Sequence, residues 1–206
     1  EGVQGTGDEF LDSNHIMATA KHFIGDGGTF KGIDKGDTRI SEGGLKNIHG
    51  TPYYSAFEAC VQSVMASFNS WNGVKMHGHE YLLTDVLRDQ MGFNGLVVGD
   101  WNGHGEVPGC TNANCPESFN AGVDIYMAPD EWKELYTNTV RAVKAGDISE
   151  DRLDDAVRKI LTVKDRLGML DGRKPHEYEN YVGKIEHREL ARDAVSKSLV
   201  LLKNND

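Results

Sequence analysis

The stretch GLVVGDWNGHG, residues 95–105, decides how the chain is interpreted. Leu96, Val97 and Val98 form a short β-branched and apolar run bounded by glycines, which is typical of a buried strand. The run ends in a carboxylate, Asp100, followed at once by the large aromatic Trp101. Asp100 is therefore expected at the rim of a sheet, where it serves either as a structural cap or as a reacting group.

Three further runs of the same kind punctuate the chain: IMATAKHF (16–23), SVMASF (63–68) and VDIYMAP (123–129). Between the four strands lie stretches with helical spacing: 51–62, 79–92 and 149–170, the last opened by Ser149, a good helix N-cap. Regular alternation of strands and helices indicates an α/β fold with a parallel sheet. Ligands of such sheets bind beyond the carboxyl ends of the strands.

Polar side chains stand at the predicted strand ends. Lys21 and His22 end the first strand and lead into a loop with three glycines, KHFIGDGGT, which indicates a backbone folded closely around a ligand. The alternative for Lys21 and His22 is an exposed surface pair. Trp101 suits a platform for the apolar face of a sugar, and its alternative is core packing. Carboxylate, indole, lysine and histidine on one rim together favour a carbohydrate site.

The strand count leaves two architectures open. Four strands are half of an eight-stranded β/α barrel, which takes about 250 residues, so the sheet is either open or half of a barrel. The polar stretch GRKPHEYENYVGK (172–184) lacks helical periodicity and is interpreted as an interdomain linker. The β-rich run SLVLLKNND (198–206) is typical of the first strand of a new domain. We therefore expect an internal piece of a larger, two-domain protein.

Composition and charge exclude several function classes. The formal net charge of −10 argues against a nucleic acid or an anionic membrane as partner and favours a neutral substrate. The apolar runs are about half of the roughly 20 residues that cross a bilayer. Cys110 and Cys115, in CTNANC, form either a small disulfide loop or two free thiols, and Cys60, within a predicted helix, is expected to be a small buried apolar residue.

Other kinds of chemistry find weaker support. The glycine-rich loop 25–28 has neither of the two phosphate-binding patterns, GxxxxGK(S/T) or a GxGxxG that opens into a helix. The serine-nucleophile signature GxSxG is absent from the sequence. His77 and His79, in HGHE, do not have the helical spacing of metal ligands, whereas His79 and Glu80 suit the start of the following helix. No metal site is predicted.

Three segments, KHFIGDGGT, VMASFNSWNGVKMHGH and GLVVGDWNG, resemble in sequence and order the signatures of glycoside hydrolase family 3, in its exo-β-glucanase and β-glucosidase branch. The resemblance runs over essentially the whole chain. It implies that residues 1–171 are the second half of a (β/α)8 TIM barrel. By the same resemblance, residues 172–185 are an interdomain linker and residues 186–206 begin an α/β sandwich domain. The form KHFPGHG of the N-acetylglucosaminidase branch does not occur, which argues against an amino-sugar substrate.

The resemblance also assigns roles. Asp100 matches the catalytic nucleophile, Lys21 and His22 match the pair that binds sugar hydroxyls in the −1 subsite, and Trp101 matches the indole on the +1 side. Phe68 and Met65 fall on substrate-binding positions of the segment SVMASF. Many members have Tyr where Phe68 stands, so a phenol hydrogen bond to the nucleophile is not expected. Some glucanases have an Arg a few residues after the Asp-Trp pair, where this chain has His-Gly-Glu at 104–106. The resemblance therefore does not imply a particular linkage preference.

The expected function is a retaining, exo-acting β-glucoside hydrolase, a β-glucosidase or exo-1,3/1,4-β-glucanase, that releases glucose by double displacement without a cofactor. The expected partners are a β-linked glucose oligosaccharide or glucoside and the remainder of the same polypeptide, which supplies the first half of the barrel and the acid/base carboxyl. A periplasmic or secreted location is expected. The alternatives are a sugar-binding homologue without catalysis, or a segment inert without the rest of its chain.

Overall fold

A computed structural model describes residues 1–173 and 182–205. The chain divides into two compact units, Glu1–Arg173 and Lys174–Asp206. Most of the predicted linker, at 174–181, lies outside the described residues. In the described part, no helix has both the length and the apolar character that a membrane-spanning segment needs.

The first unit is organised around a four-stranded parallel sheet. Its strands are β1 (Thr19–Phe23), β3 (Ser63–Ala66), β6 (Leu96–Trp101) and β7 (Ile125–Met127), in the order β1-β3-β6-β7. Ser63 is in register with both Thr19 and Leu96, so β1, β3 and β6 start at one level. Met127, the last residue of β7, pairs with Trp101, the last residue of β6. The predicted α/β class, the four strands and their parallel pairing are confirmed.

One face of this sheet packs on the main hydrophobic core. Val64, Ala66 and Val97 are each buried and join the leucines of the helix Tyr81–Gln90, which turns with the wide hydrogen-bond pattern of a π-helix. Apolar side chains of the sheet and of the helix are removed from water in this core. Their burial stabilises the folded state by roughly 1.5–3 kcal/mol for each fully buried large side chain. Alternate residues of the strands therefore point to the opposite face, which carries Met65 and Val98.

Three helical stretches were predicted, and each is present with different bounds. The first is a continuous helix made of Glu42–Gly44, Leu45–Gly50 and Thr51–Glu58, which begins earlier and ends earlier than predicted. The last is Glu150–Arg166, where the Ser149 hydroxyl accepts the N–H of Arg152 at 3.1 Å, as its predicted cap role requires. The helix Trp132–Ala145 was not predicted, and short helical segments form at Pro116–Ala121 and in several loops.

A buried ion cluster joins two helices to the sheet. Asp124, before β7, has a fully buried side chain that lies 2.6 Å from Arg88 and 2.9 Å from Arg152. Its carboxylate also accepts the backbone N–H of Val97 in β6 at 2.8 Å. The two arginines come from the helices Tyr81–Gln90 and Glu150–Arg166, so one carboxylate fixes both of them to the strand that ends in Asp100 and Trp101.

The cysteines divide as one pair and one free thiol. Cys110 and Cys115 form a disulfide, which resolves the alternative left open by their spacing. The prediction that Cys60 is buried within a helix is wrong: the residue is exposed and free. The helix ends at Glu58, and the chain then turns through Cys60 with a positive φ of 57°, which directs the thiol to solvent.

A small second sheet lies in the same unit. Its strands are β2 (Asp37–Thr38), β4 (Ser70–Trp71) and β5 (Val74–Lys75), with β2 parallel and β5 antiparallel to β4. In the second unit the described residues form one helix, Ile185–Ser198, followed by a run without regular structure. The strand predicted at 198–206 is not formed in the described residues, where Leu199 and Leu202 are exposed, because a strand is stable only when another strand pairs with it.

Candidate active site

Asp100 lies at the carboxyl end of β6, one of the two central strands of the parallel sheet. Its side chain is 16% exposed, enough for a small molecule to reach it. One carboxylate oxygen, Oδ1, accepts the backbone N–H of Trp101 at 2.7 Å. The other, Oδ2, lies 3.4 Å from Nε2 of His22. The carboxylate is therefore held on one oxygen and has the second near a rim histidine.

The first strand brings a second set of polar groups to the same edge. Lys21 and His22, near the end of β1, line a cleft of about 490 Å³ together with Asp26. Nδ1 of His22 lies 3.1 Å from Oδ2 of Asp26, so the imidazole bridges the carboxylates of Asp26 and Asp100. The predicted neighbours Asp100 and His22 are thus brought together, with Lys21 on the same cleft.

Trp101 stands on the rim beside Asp100 with 59% of its surface exposed. The chain reverses immediately after it, because Asn102 adopts a left-handed conformation with φ of 53°. The Asn102 side chain donates to Oδ2 of Asp130, 3.3 Å away in the loop after β7. An indole exposed at a sheet edge offers a flat apolar surface to a ligand.

Phe68 and Met65 come from the neighbouring strand β3 and the turn that follows it. The Phe68 ring has Nζ of Lys35 4.3 Å from its centroid and the ring of His77 at 5.9 Å. Met65 is in register with Val98, two residues before Asp100, and lines the apolar face below the rim. Phe68 therefore stands among rim residues, whereas Met65 lies one level deeper.

A charged cluster supports the turn after Trp101. Glu106 lies 2.9 Å from Nζ of Lys35 and 3.7 Å from Nζ of Lys75. The hydrogen bond from Lys35 holds the pKa of the Glu106 carboxyl below its ordinary value. Lys75 also donates to the carbonyl of Phe68 at 3.2 Å. The cluster therefore ties the segment that follows Asp100 to the small second sheet.

His77 is a site residue that sequence reasoning did not identify as such. The ring is buried, and its Nε2 accepts the backbone N–H of Asp100 at 2.8 Å. Burial lowers the pKa of His77 to about 4, so the ring is neutral at ordinary pH. In the sequence, His77 was considered only as part of HGHE, a weak metal pattern. Its pairing with Asp100 joins residues 23 positions apart, so no local pattern indicates it. Asp26 was also missed, although it stands within the glycine-rich loop that was singled out.

Among the described residues, one cluster has the atoms to hold a metal: Cys110, Cys115 and Glu117. The two sulfurs are joined to each other in the disulfide, so neither is available as a thiolate ligand. The cluster at the rim, Asp100, His22 and Asp26, has instead the groups for nucleophilic and hydroxyl-binding chemistry.

Comparison with known proteins gives consistent results. Among curated proteins, a β-xylosidase of Formosa agariphila is 37% identical over the whole chain, which spans 30% of that protein. A periplasmic β-glucosidase of Salmonella typhimurium is 32% identical over 94% of the chain, which corresponds to 26% of its length. The chain therefore spans about a quarter to a third of these relatives.

Solved structures show the same relationship. An exo-1,3/1,4-β-glucanase from a Pseudoalteromonas species is 53% identical and superposes with a TM-score of 0.93 over the whole chain and 26% of its own. A β-glucosidase from Listeria innocua in complex with glucose is 27% identical, with a TM-score of 0.85 over the whole chain and 29% of its own. The sequence profile of the Glycosyl hydrolase family 3 N terminal domain matches residues 1–163. The chain belongs to glycosyl hydrolase family 3.

Proposed function

We propose that this chain is the nucleophile-bearing part of a retaining, exo-acting β-glucoside hydrolase, with Asp100 as the nucleophile. The observation that carries the proposal is the position of Asp100 at the carboxyl end of a central strand, 3.4 Å from His22 and beside the exposed Trp101. Carboxyl ends of parallel strands hold catalytic groups more rigidly than free loops do. The membership in a glycosidase family agrees with this chemistry.

In this mechanism, the Asp100 carboxylate attacks the anomeric carbon of the bound sugar, and the bond to the leaving oxygen breaks as a second carboxyl group donates a proton to it. Water, deprotonated by that second group, then displaces Asp100 from the sugar. In retaining enzymes the two carboxyl groups stand about 5 to 5.5 Å apart. We assign the second carboxyl to the remainder of the polypeptide, as the family resemblance implies.

The other rim residues then have distinct tasks. His22 and Lys21 bind hydroxyls of the sugar in the −1 subsite, because both line one cleft and His22 lies 3.4 Å from Asp100. Trp101 stacks on the sugar at the +1 side, for which its exposure leaves it free. Phe68 and Met65 complete the set of proposed substrate-binding residues. Phe68 presents its ring at the rim, and Met65 lies on the apolar face below the rim.

We further propose that residues 1–171 are the second half of a (β/α)8 barrel, followed by a linker at 172–185 and a second domain that begins at 186. Two features support this proposal. The four-stranded sheet has β1 and β7 as its edge strands, where further strands could add. The apolar face lined by Met65, Val98 and Met127 borders a cleft of about 370 Å³, as the inner face of an incomplete barrel would.

For the substrate we propose a β-linked glucoside. The solved relative of highest identity reported above acts on 1,3- and 1,4-β-glucan by its name, and the Listeria enzyme binds glucose. The Formosa relative, a β-xylosidase, makes a β-xyloside the second candidate. A location outside the cytoplasm is also proposed, because disulfides such as Cys110–Cys115 persist in oxidising compartments and one relative is periplasmic.

The test is covalent trapping in the complete polypeptide that contains this chain. A 2-deoxy-2-fluoro-glucoside with a good leaving group is added, the protein is digested, and peptides are mapped by mass. The expected result is a 2-deoxy-2-fluoro-glucosyl adduct on Asp100, no turnover in Asp100→Ala, and ordinary turnover in Asp89→Ala, which changes an exposed carboxylate on the helix Tyr81–Gln90.

Three outcomes would contradict parts of the proposal. An adduct on another carboxylate would refute the role of Asp100. Faster trapping by the matched 2-deoxy-2-fluoro-xyloside would identify a xylosidase. Folded protein that binds glucose but is neither labelled nor active would be the non-catalytic homologue. A separate assay of residues 1–206 alone tests whether this segment is inert by itself.

A further inference from the structure

His77 is held in place on every side. It lies in the short turn Met76–Gly78, where Met76 is completely buried in the core. A side chain at Gly103 would put its Cβ 2.3 Å from Nε2 of His77, and one at Gly99 would lie 3.4 Å from the ring. On another side the ring meets Phe68. The two glycines therefore allow the loop around Asp100 to close directly onto the imidazole.

The hydrogen bonds of His77 define one orientation and one tautomer. Nε2 accepts the N–H of Asp100 at 2.8 Å, and a hydrogen bond between the ring and the backbone of Ser67 raises the pKa of His77 against the effect of burial. Because Nε2 accepts a hydrogen bond and the buried ring is neutral, the proton is on Nδ1. Ser67 is itself fixed, because its N–H donates to the carbonyl of Phe23 in β1 at 2.7 Å. The ring thus links the ends of β1, β3 and β6.

This contact occurs where the sheet is irregular. The register between β6 and β7 shifts between Val98 and Trp101, so the ladder does not continue evenly through Asp100. A side-chain nitrogen at this position receives the N–H of the residue whose carboxylate is at the rim. The direction in which a side chain leaves the backbone depends on the orientation of its peptide units, so a fixed N–H also fixes the Cα–Cβ bond of Asp100, while the N–H of Trp101 holds its carboxylate.

We propose that His77 is a positioning residue for the nucleophile: by accepting the Asp100 N–H it sets the backbone orientation from which the Asp100 carboxylate meets the anomeric carbon. The inference rests on the proposed role of Asp100 as nucleophile and deepens it. His77 has no contact with the sugar in this scheme and takes no proton from it. Its effect is on the rate of attack, which is sensitive to small displacements of the attacking atom.

Two substitutions separate positioning from packing. His77→Gln keeps an amide oxygen near the place of Nε2, so it can still accept the Asp100 N–H. His77→Leu has an apolar side chain of comparable bulk and leaves that N–H without its acceptor. Gly103→Ala is an independent third variant, because its methyl group would push the ring away without changing His77 itself.

The experiment measures the rate constant for labelling of Asp100 by the 2-deoxy-2-fluoro-glucoside in the complete polypeptide, with the inhibition constant of glucose and the Tm of each variant. We expect His77→Leu and Gly103→Ala to slow labelling by about tenfold or more. His77→Gln should recover most of the wild-type rate. Glucose inhibition should stay within about twofold throughout, because the ring acts on the angle of attack and not on sugar binding.

Other results would overturn either the positioning role of His77 or the proposed function. Labelling of folded His77→Leu at the wild-type rate would overturn the proposal, and so would equal slowing of His77→Leu and His77→Gln. If His77→Leu does not fold, the labelling rates of His77→Gln and Gly103→Ala are compared instead. Equal labelling rates in these two variants would refute the positioning role. Wild-type protein labelled at another carboxylate would instead refute the proposed function itself, and the positioning role with it.

Discussion

Nδ1 of His22 lies 3.1 Å from Oδ2 of Asp26, four residues farther along the chain. The pairing fixes the ring of a histidine whose other nitrogen faces the proposed nucleophile, 3.4 Å away. An orienting partner of this kind keeps a binding side chain in one rotamer before the ligand arrives. We therefore propose Asp26 as an orienting residue for His22, even though nothing in the proposed scheme brings it to the sugar.

Replacing Asp26 should weaken substrate use through His22. In Asp26→Ala the imidazole loses its fixed partner, and we expect kcat/KM for an aryl β-glucoside to fall by about tenfold, equivalent to about 1.4 kcal/mol. Asp34→Asn, which removes one negative charge from an exposed residue of the following loop, is the control and should leave kcat/KM unchanged. Equal kcat/KM in Asp26→Ala and wild type would refute the orienting role.

The buried carboxylate of Asp124 should be essential for stability. Asp124→Ala leaves the two largely buried guanidinium groups of Arg88 and Arg152 without their common partner. Removing one member of a buried ion cluster costs roughly 3–5 kcal/mol, because the remaining charges stay buried without compensation. Chemical unfolding measures the loss, with the exposed Asp154→Ala as control. A change below about 1 kcal/mol would contradict the structural role given to Asp124.

Acidification should destabilise the protein through His77. Burial holds the pKa of His77 at about 4 in the folded state, against 6.5 for the free side chain. Between these values the unfolded chain binds a proton that the folded protein does not, so the free energy of unfolding falls as the pH falls, by roughly 1 kcal/mol per pH unit. Asp100, which raises this pKa, and His104 and Lys75, which lower it, face the same ring.

His77→Gln removes this titration while leaving the neighbouring groups in place. The Tm of wild type should therefore drop more than that of His77→Gln between about pH 6.5 and about pH 4.5, in a buffer of constant ionic strength. His79 and His104, whose pKa values burial also lowers, act in both proteins and cancel in the comparison. Identical pH dependences of Tm would show that His77 is not the titrating group.

The disulfide should stabilise the loop that backs the rim. The carbonyl of Asn112, within the loop closed by Cys110 and Cys115, accepts from Nε2 of His104 at 2.8 Å. Closing so small a loop lowers the entropy of the unfolded chain by an amount worth about 2 kcal/mol. The double variant Cys110→Ser and Cys115→Ser should show a lower Tm, whereas Cys60→Ser should not. A reducing agent should lower the Tm of wild type and of Cys60→Ser but not that of the double variant, and no effect in either test would contradict the role.

Strands and the catalytic candidate could be predicted from sequence because their signals are local. The run before Asp100 is apolar and β-branched, and the carboxylate follows it closely, so both the strand and the rim position are contained in the stretch 95–100. The helix Trp132–Ala145 was missed because no capping side chain marks its start, whereas Ser149 caps the predicted helix Glu150–Arg166.

The supporting residues could not be predicted for a different physical reason. His77 acts through a backbone N–H, and nearly any residue type can supply an N–H, so the partner leaves no trace in the sequence around Asp100. The Cys110–Cys115 pair shows the limit of spacing as well: two cysteines five positions apart suit both bonded and free states until the loop conformation is known. Contacts of this kind appear only when the fold brings distant segments together.

The exposed indole of Trp101 gives the protein an optical reporter at its rim. Of the other tryptophans, Trp71 is partly covered and donates to the carbonyl of Ile40, and Trp132 is exposed at the start of its helix. A sugar that covers Trp101 would exclude water from the ring and shift its fluorescence emission to shorter wavelength. Titration of Asp100→Ala with a β-linked glucose disaccharide, which spans the −1 and +1 sides, could then follow binding in real time without turnover, with Trp132→Phe to remove the second exposed emitter.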